Sequence, residues 1–188
     1  MADTRKVAVL VGSLRKESLS RKTALALAAI APASLTLEIV EIGELNHYNQ
    51  DLDDAAAKPA AWLAFRDRVR AADAVLFITP EYNRSVPGFL KNAIDVGSRP
   101  YGQSVFSGKP CGVISVSPGA LGAFGANHHI RQSFVFLDMP TMQQPEAYIG
   151  GAATLFDAQG AMTNDKVREL LERYVTRFAE WVEQHAKK

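Results

Sequence analysis

The hydrophobic positions of this chain switch repeatedly between two periods. "KVAVLVG", residues 6 to 12, is valine-rich and apolar on both faces, the pattern of a strand covered from both sides. Ala24, Leu27, Ala28 and Ala31 then recur at helical spacing until Pro32 stops them. "LTLEIVEI", residues 35 to 42, alternates and predicts a second strand. Trp62, Phe65, Val69 and Ala72 line one face of a second helix, and "AVLFIT", residues 74 to 79, predicts a fully buried third strand. Ser85 is placed to cap the next helix, with Pro87 in its first turn and Phe89, Leu90, Ala93 and Ile94 on its inner face. "CGVISVS", residues 111 to 117, predicts a fourth strand, and Ile130, Ser133, Phe134 and Leu137 a helix after it. "TMQQPEAYI" holds a short fifth strand. Val167, Leu170, Leu171, Tyr174, Phe178, Trp181 and Val182 form the clearest helical stripe in the chain.

Five strand–helix units in series predict an α/β fold, a parallel sheet with helices on both faces. In such sheets ligands sit outside the carboxyl ends of the strands, near the switch in strand order. That rule nominates three loops, after strands one, three and four: "GSLRKESLSR", "PEYNRSVPG" and "SPGALGAFG".

The first loop is a helix N-terminus carrying hydroxyls. Free N–H groups and the helix dipole favour an anion there. Ser13, Ser18 and Ser20 can donate to phosphate oxygens and Arg15 can add charge-assisted bonds. Neither GxxxxGK[ST] nor GxGxxG is present, so the loop fits a terminal monophosphate better than a bridging polyphosphate. The alternative is that the serines only cap the helix. Lys16, Arg21 and Lys22 are expected in solvent. The second loop is fixed by two prolines and a glycine around a polar tip, Glu81 to Ser85, suited to edging a flat heterocycle with backbone amides and the Tyr82 ring. An ordinary strand-to-helix turn is the alternative. Glycines 119, 122 and 125 mark the third loop as a tight turn beginning at Ser117 and Pro118.

Composition narrows the picture further. The 188 residues predict one domain spanning residues 1–188. A formal net charge of +1 argues against nucleic-acid binding, which needs a concentrated basic face. Cys111 is the one cysteine, so no intrachain disulfide forms, and its place in a strand predicts inert packing. No apolar run approaches the roughly 20 residues that span a bilayer, and the N-terminus lacks a signal-peptide core, so a cytoplasmic address and no membrane contact are expected. His128 and His129 are adjacent and point about 100° apart on a helix, which excludes chelation from one face; no metal site is expected. No Ser-His-Asp motif is evident, and Glu81 has no neighbouring carboxylate, so hydrolase chemistry has no support.

Taken together, "GSLRKESLSRKTA", "PEYNRSVPGFLKNAID" and the later "GKP…SVSPG" resemble the NADPH-dependent FMN reductase family, from the first strand to the last helix. The resemblance implies a flavodoxin-like three-layer sandwich with strand order 2-1-3-4-5, and FMN at the sheet edge with NADH or NADPH as cosubstrate. It places Ser13, Leu14, Arg15, Ser18, Leu19 and Ser20 around the phosphate, Pro80, Glu81, Tyr82, Asn83 and Arg84 along the isoalloxazine, and Ser117 after strand four. Glu17 and Ser20 depart from the common motif, where glycine and asparagine are frequent; Glu17 is therefore expected to face outward. No catalytic side chain is implied. Hydride passes from NAD(P)H to the flavin N5 and on to an acceptor in ping-pong order, the protein supplying position and electrostatics. A quinone best fits an open flat site, with chromate, ferric chelates and free flavin as other acceptors. Arg84 and Arg99 are the candidate contacts for nucleotide phosphates or an anionic acceptor, with Arg99 expected near the site mouth. A homodimer or homotetramer is also implied, and "GFLKNAIDV" and "NHHIRQSFVFLDM" carry more apolar residues than one-sided helices need.

Three other functions compete with a quinone-reducing enzyme. One is a reductase supplying free reduced flavin. Another is a flavodoxin-type electron carrier, although such carriers tend to be acidic and this chain is not. The third is a binding module without turnover.

Overall fold

A computed structural model of the chain describes residues 4–186. Strands β1 (Arg5–Val11), β2 (Leu35–Ile39), β3 (Ala74–Thr79), β4 (Cys111–Val116) and β5 (Ala147–Ile149) form one sheet in the order β2-β1-β3-β4-β5. Every pairing is parallel, with Val9 opposite Ile39 and Leu76, and Phe77 opposite Val113. The helices are α1 (Leu19–Ala29), α2 (Gln50–Asp54), α3 (Ala60–Arg70), α4 (Gly88–Gly97), α5 (Phe124–Phe136) and α6 (Asp165–His185).

The β3 and β4 residues are all buried because both faces of the sheet are covered, and this is why those strands read as unbroken apolar runs. On one face Val9, Leu76 and Ile114 pack against Leu27 of α1 and Tyr174 and Phe178 of α6. On the other, Leu10, Phe77 and Val113 meet Trp62 and Phe65 of α3, Leu90 of α4 and Phe134 of α5. The order 2-1-3-4-5 and the two helical layers match the expected flavodoxin-like architecture.

Local details depart from the periodic reading. Strand β2 ends at Ile39, not at 42. Val40 and Ile42 keep the alternation and fill the core with the residues of α3 and α4, Val40 still donating its N–H to Val9 at 3.0 Å as the chain turns off the sheet. The buried stripe of α1 is Ser20, Thr23, Ala24 and Leu27; Ala28 lies on the exposed flank and Ala31 beyond the helix end. Helix α4 begins at Gly88 with Pro87 as its N-cap and no side-chain cap, so Ser85 does not cap it. Ser85 is held one turn earlier, where its N–H and C=O both pair with Tyr82. Helix α2 has no apolar period to announce it. It starts from Asn49, whose side chain accepts the Asp51 N–H at 2.9 Å. Among the described residues no helix is long and apolar enough to cross a membrane.

Candidate functional site

The connection from β1 leads to the edge strand β2, whereas that from β3 leads the other way, to β4. This divergence opens a crevice at the carboxyl ends of β1 and β3. The loops after β1, β3 and β4 meet there. With strands about 4.8 Å apart, β1 to β4 spans about 10 Å, room for a phosphate at one side and a ring at the other.

In the first loop the two readings of the serines divide between residues. Ser18 is the helix cap: its Oγ accepts the Arg21 N–H at 3.0 Å. Ser13 and Ser20 are also mostly covered, at 9% and 2% exposure, yet among the described residues neither hydroxyl has a protein partner, and both hydroxyls open to the surface. Ser20 lies in the first turn of α1 and Ser13 in the loop ahead of it, where the helix-end N–H groups of Leu19 and Ser20 are left without an intrahelical acceptor. Arg15 is exposed and among the described residues has no ion-pair partner, and half-exposed Leu14 flanks it. Unpartnered hydroxyls open to the surface beside helix-end amides fit a terminal phosphate ester such as that of FMN. Glu17 faces outward, as expected. It pairs with Lys22 at 2.8 Å, and that hydrogen bond holds its carboxyl below the usual range. Two of the cations expected in solvent are in fact committed: Lys22 to Glu17, and Arg21 to Glu41 through bonds of 2.6 and 3.2 Å. Lys22 reaches back from α1 to the loop ahead of it, and Arg21 meets Glu41 just past the end of β2, a pairing that composition does not reveal.

The second loop is a tight turn. Tyr82 and Ser85 exchange two backbone hydrogen bonds of 3.0 Å around Asn83 (φ 52°) and Arg84 (φ 64°). Both central residues are left-handed without being glycine, at about 1–2 kcal/mol each, so the surroundings must hold the turn. They do so through side chains. The Glu81 carboxylate, 13% exposed, accepts the Ala126 N–H at 2.9 Å and the Arg84 guanidinium at 3.3 Å. Ser85 Oγ lies 2.6 Å from His129 Nδ1. The Glu81 carboxylate turns to α5, whose N-terminus has no side-chain cap of its own. Tyr82 and Arg84 project, Arg84 with 75% of its side chain exposed.

In the third loop Ser117 Oγ accepts the Gly119 N–H at 3.1 Å, closing a local turn. Gly122 has φ 58°, and a Cβ there would fall 2.6 Å from the Tyr148 backbone, so only glycine lets the loop lie on β5. Phe124, His128 and Tyr148 form an aromatic cluster beyond it, with His128 Nε2 2.8 Å from the Tyr148 hydroxyl. Desolvation, and then Glu146, push the Tyr148 phenol up to about 12. His128 and His129 have separate partners and do not act as a pair.

Arg99 is not brought to the crevice of its own chain. Helix α4 starts at the crevice and runs back along the sheet for ten residues, about 15 Å. Arg99 follows its far end, in a depression shared with Tyr101, Ser104 and the C-terminal residues of α5, Phe136 and Leu137. The expectation that it lies near the site mouth is thus corrected, since a helix returning from a parallel strand must end at the opposite edge.

Sequence periodicity missed three polar anchors. Asp53 receives Arg66 through two bonds of 2.8 and 3.0 Å, both residues almost fully buried. Arg66 occupies the inner stripe of α3 beside Trp62, Phe65 and Val69; a cation at an inward helical position was the available signal. Asn92 of "LKNAID" accepts the Tyr48 N–H at 2.8 Å and donates to Leu45 and Asn46, tying the loop after β2 to α4. Asn127 joins Ser115 to Arg131 under the third loop.

Solved structures share this architecture. The flavoenzyme NAD(P)H:(acceptor) oxidoreductase FerB from Paracoccus denitrificans superposes with a TM-score of 0.91 and 43% identity, covering 98% of this chain and 100% of that one. The NADPH-dependent FMN reductase model matches residues 5–154. The chain therefore belongs to the NADPH-dependent FMN reductase family. Among its relatives, a quinone reductase of Pseudomonas putida is 65% identical over 182 residues, 97% of each chain. A 2-hydroxy-1,4-benzoquinone reductase of a Burkholderia species is 44% identical over 177 residues, 94% of this chain and 96% of that one.

Proposed function

We propose that this chain is an FMN-dependent NAD(P)H oxidoreductase that reduces quinones. The observation that carries the reading is the pair of unpartnered hydroxyls of Ser13 and Ser20, open to the surface on otherwise covered residues at the α1 N-terminus, beside a braced loop at the β1–β3 switch. The names of the Pseudomonas, Burkholderia and Paracoccus relatives support it. Ser13, Arg15, Ser18, Leu19 and Ser20 hold the phosphate, with Leu14 flanking. Pro80 to Arg84 edge the isoalloxazine and Ser117 bounds it from the third loop. When bound, FMN supplies acceptance of hydride from NAD(P)H and delivery of the reducing equivalents to an acceptor. The chain binds, orients and partly encloses the reactants. Tyr82 and Phe124 offer apolar walls for a flat acceptor, and Arg84, paired with Glu81 but with 75% of its side chain exposed, a charge that can also meet a nucleotide phosphate or an acidic substituent.

The domain spans the whole chain and works in the cytoplasm as a homodimer or homotetramer. Tyr101, Val135 and Phe136, at 82%, 85% and 69% exposure, form the apolar surface that supports self-association. Arg99 sits beside that surface, so it reaches a flavin only if a second copy delivers it. Sedimentation showing only monomer would remove both statements.

The test is stopped-flow reduction of the FMN-loaded protein by NADH and by NADPH, followed by reoxidation with benzoquinone, chromate, ferric chelate and free FMN. Rapid reduction with fastest reoxidation by the quinone is expected. A protein that stays colourless after FMN is added overturns the flavin reading. Bound FMN that neither nucleotide reduces makes it a carrier, and fastest reoxidation by free flavin makes it a supplier of reduced flavin.

A further inference from the structure

The acid of "PEYN" turns its carboxylate away from the crevice. Glu81 Oε2 meets the N–H of Ala126, the third residue of α5, at 2.9 Å, from 45 residues away. That helix has no cap of its own, since its N-cap is Ala123. A carboxylate there satisfies an orphan N–H and lies at the positive end of the helix dipole. Space for it comes from Gly125: a Cβ at this position would stand 2.8 Å from Glu81 Oε2 and 3.0 Å from the Arg84 carbonyl oxygen. One turn further on, His129 of the same helix holds Ser85. The left-handed pair Asn83 and Arg84 is suspended between these two attachments.

We propose that Glu81 is a positioning residue: by capping α5 it sets the Tyr82–Ser85 turn as a preformed wall of the flavin site, and Gly125 is the glycine that admits it. The inference rests on the flavin reading for its consequence, though the attachment itself is a property of the protein without flavin. Glutamine keeps an acceptor oxygen for the Ala126 N–H, whereas alanine leaves the helix end uncapped and the turn held to α5 by Ser85 alone.

Two measurements test this on the full-length wild type, E81Q, E81A, G125A and E81A/G125A. Hydrogen exchange on the apoprotein is expected to accelerate roughly tenfold or more in E81A, at residues 82–85 and 124–127 together. The FMN dissociation constant should rise by about the same factor. E81Q should stay within about threefold of wild type by both readouts, as expected for replacement of one acceptor by another. G125A should reproduce E81A, and the double variant should be no worse than the worse single one, because both remove the same contact. Unchanged exchange in E81A, failure of glutamine to rescue, or additive losses in the double variant would each overturn the proposal. If wild-type protein takes up no FMN, the flavin reading fails on that result alone, while the exchange data still decide whether Glu81 sets the turn.

Discussion

After β1, Ser13 and Ser20 keep hydroxyls without a partner among the described residues at the start of α1; in the loop after β3, Glu81 commits its carboxylate and Ser85 its hydroxyl to α5. Both loops leave adjacent strands at the same edge of the sheet. The first offers side chains, because a compact charged group is best met by hydroxyls and helix-end amides pointing at one spot. The second offers backbone and a projecting ring, because a flat group is best met by an edge that does not move. The polar residues of the two loops look alike in sequence, yet the proposed function leaves one set for a ligand, while the other fixes the protein to itself.

Removing donors from the first loop is the most severe way to break this comparison. Ser13→Ala with Arg15→Ala deletes two bonds to a charged group, each about 1.5–3 kcal/mol. The FMN dissociation constant is expected to rise at least a hundredfold with little change in melting temperature, measured by fluorescence titration. Retention of stoichiometric FMN would show that the loop does not hold the phosphate.

The body beneath both loops should respond to alkali instead. Burial pushes the Cys111 thiol from 9.0 up to about 12. Between those values the unfolded chain gives up a proton that the folded chain retains. Stability is therefore full below pH 9 and falls by about 1.4 kcal/mol per pH unit until about pH 12. Urea titrations of wild type and Cys111→Ala across that window should show a shallower fall in the variant; parallel slopes would contradict the assignment.

Smaller effects are expected at the tip of the second loop. Arg84→Ala should raise KM for NAD(P)H or for acidic quinones several-fold and leave KM for a neutral quinone unchanged, with the difference shrinking at high salt, as for an exposed charge. An equal rise for charged and neutral substrates would point to a distorted turn. Arg84→Gly relieves a left-handed residue by about 1 kcal/mol, which corresponds to about 2–4 °C in Tm for a chain of this size. A lower Tm would mean that its bond to Glu81 outweighs the strain.

The alternation of apolar runs with helical stripes, and Glu17 facing outward, were legible because each depends on residues within a few positions of one another. So was the hydroxyl-rich first loop, whose serines share one helix start. The end of β2 and the N-terminus of α4 were misplaced by a few residues, since Val40 and Ile42 exchange sheet for core without changing period, and a proline stands where a serine cap was expected. Arg66 was hidden among apolar neighbours on a helix whose partner, Asp53, lies in a helix with no periodic signature.

By itself, the sequence determined the α/β architecture and the three loops that gather at one edge, and it offered the first of them as a candidate anion site. Periodicity and helix-end chemistry are local, so the chain carries them in plain order. Only the tertiary structure decided where the polar side chains of those loops are directed. Glu81 meets Ala126 and Ser85 meets His129 across separations of 45 and 44 residues, and α4 carries Arg99 away from the crevice. These outcomes follow from which strands are neighbours and which way each helix returns, and neither is written in the residues adjacent to Glu81, Ser85 or Arg99.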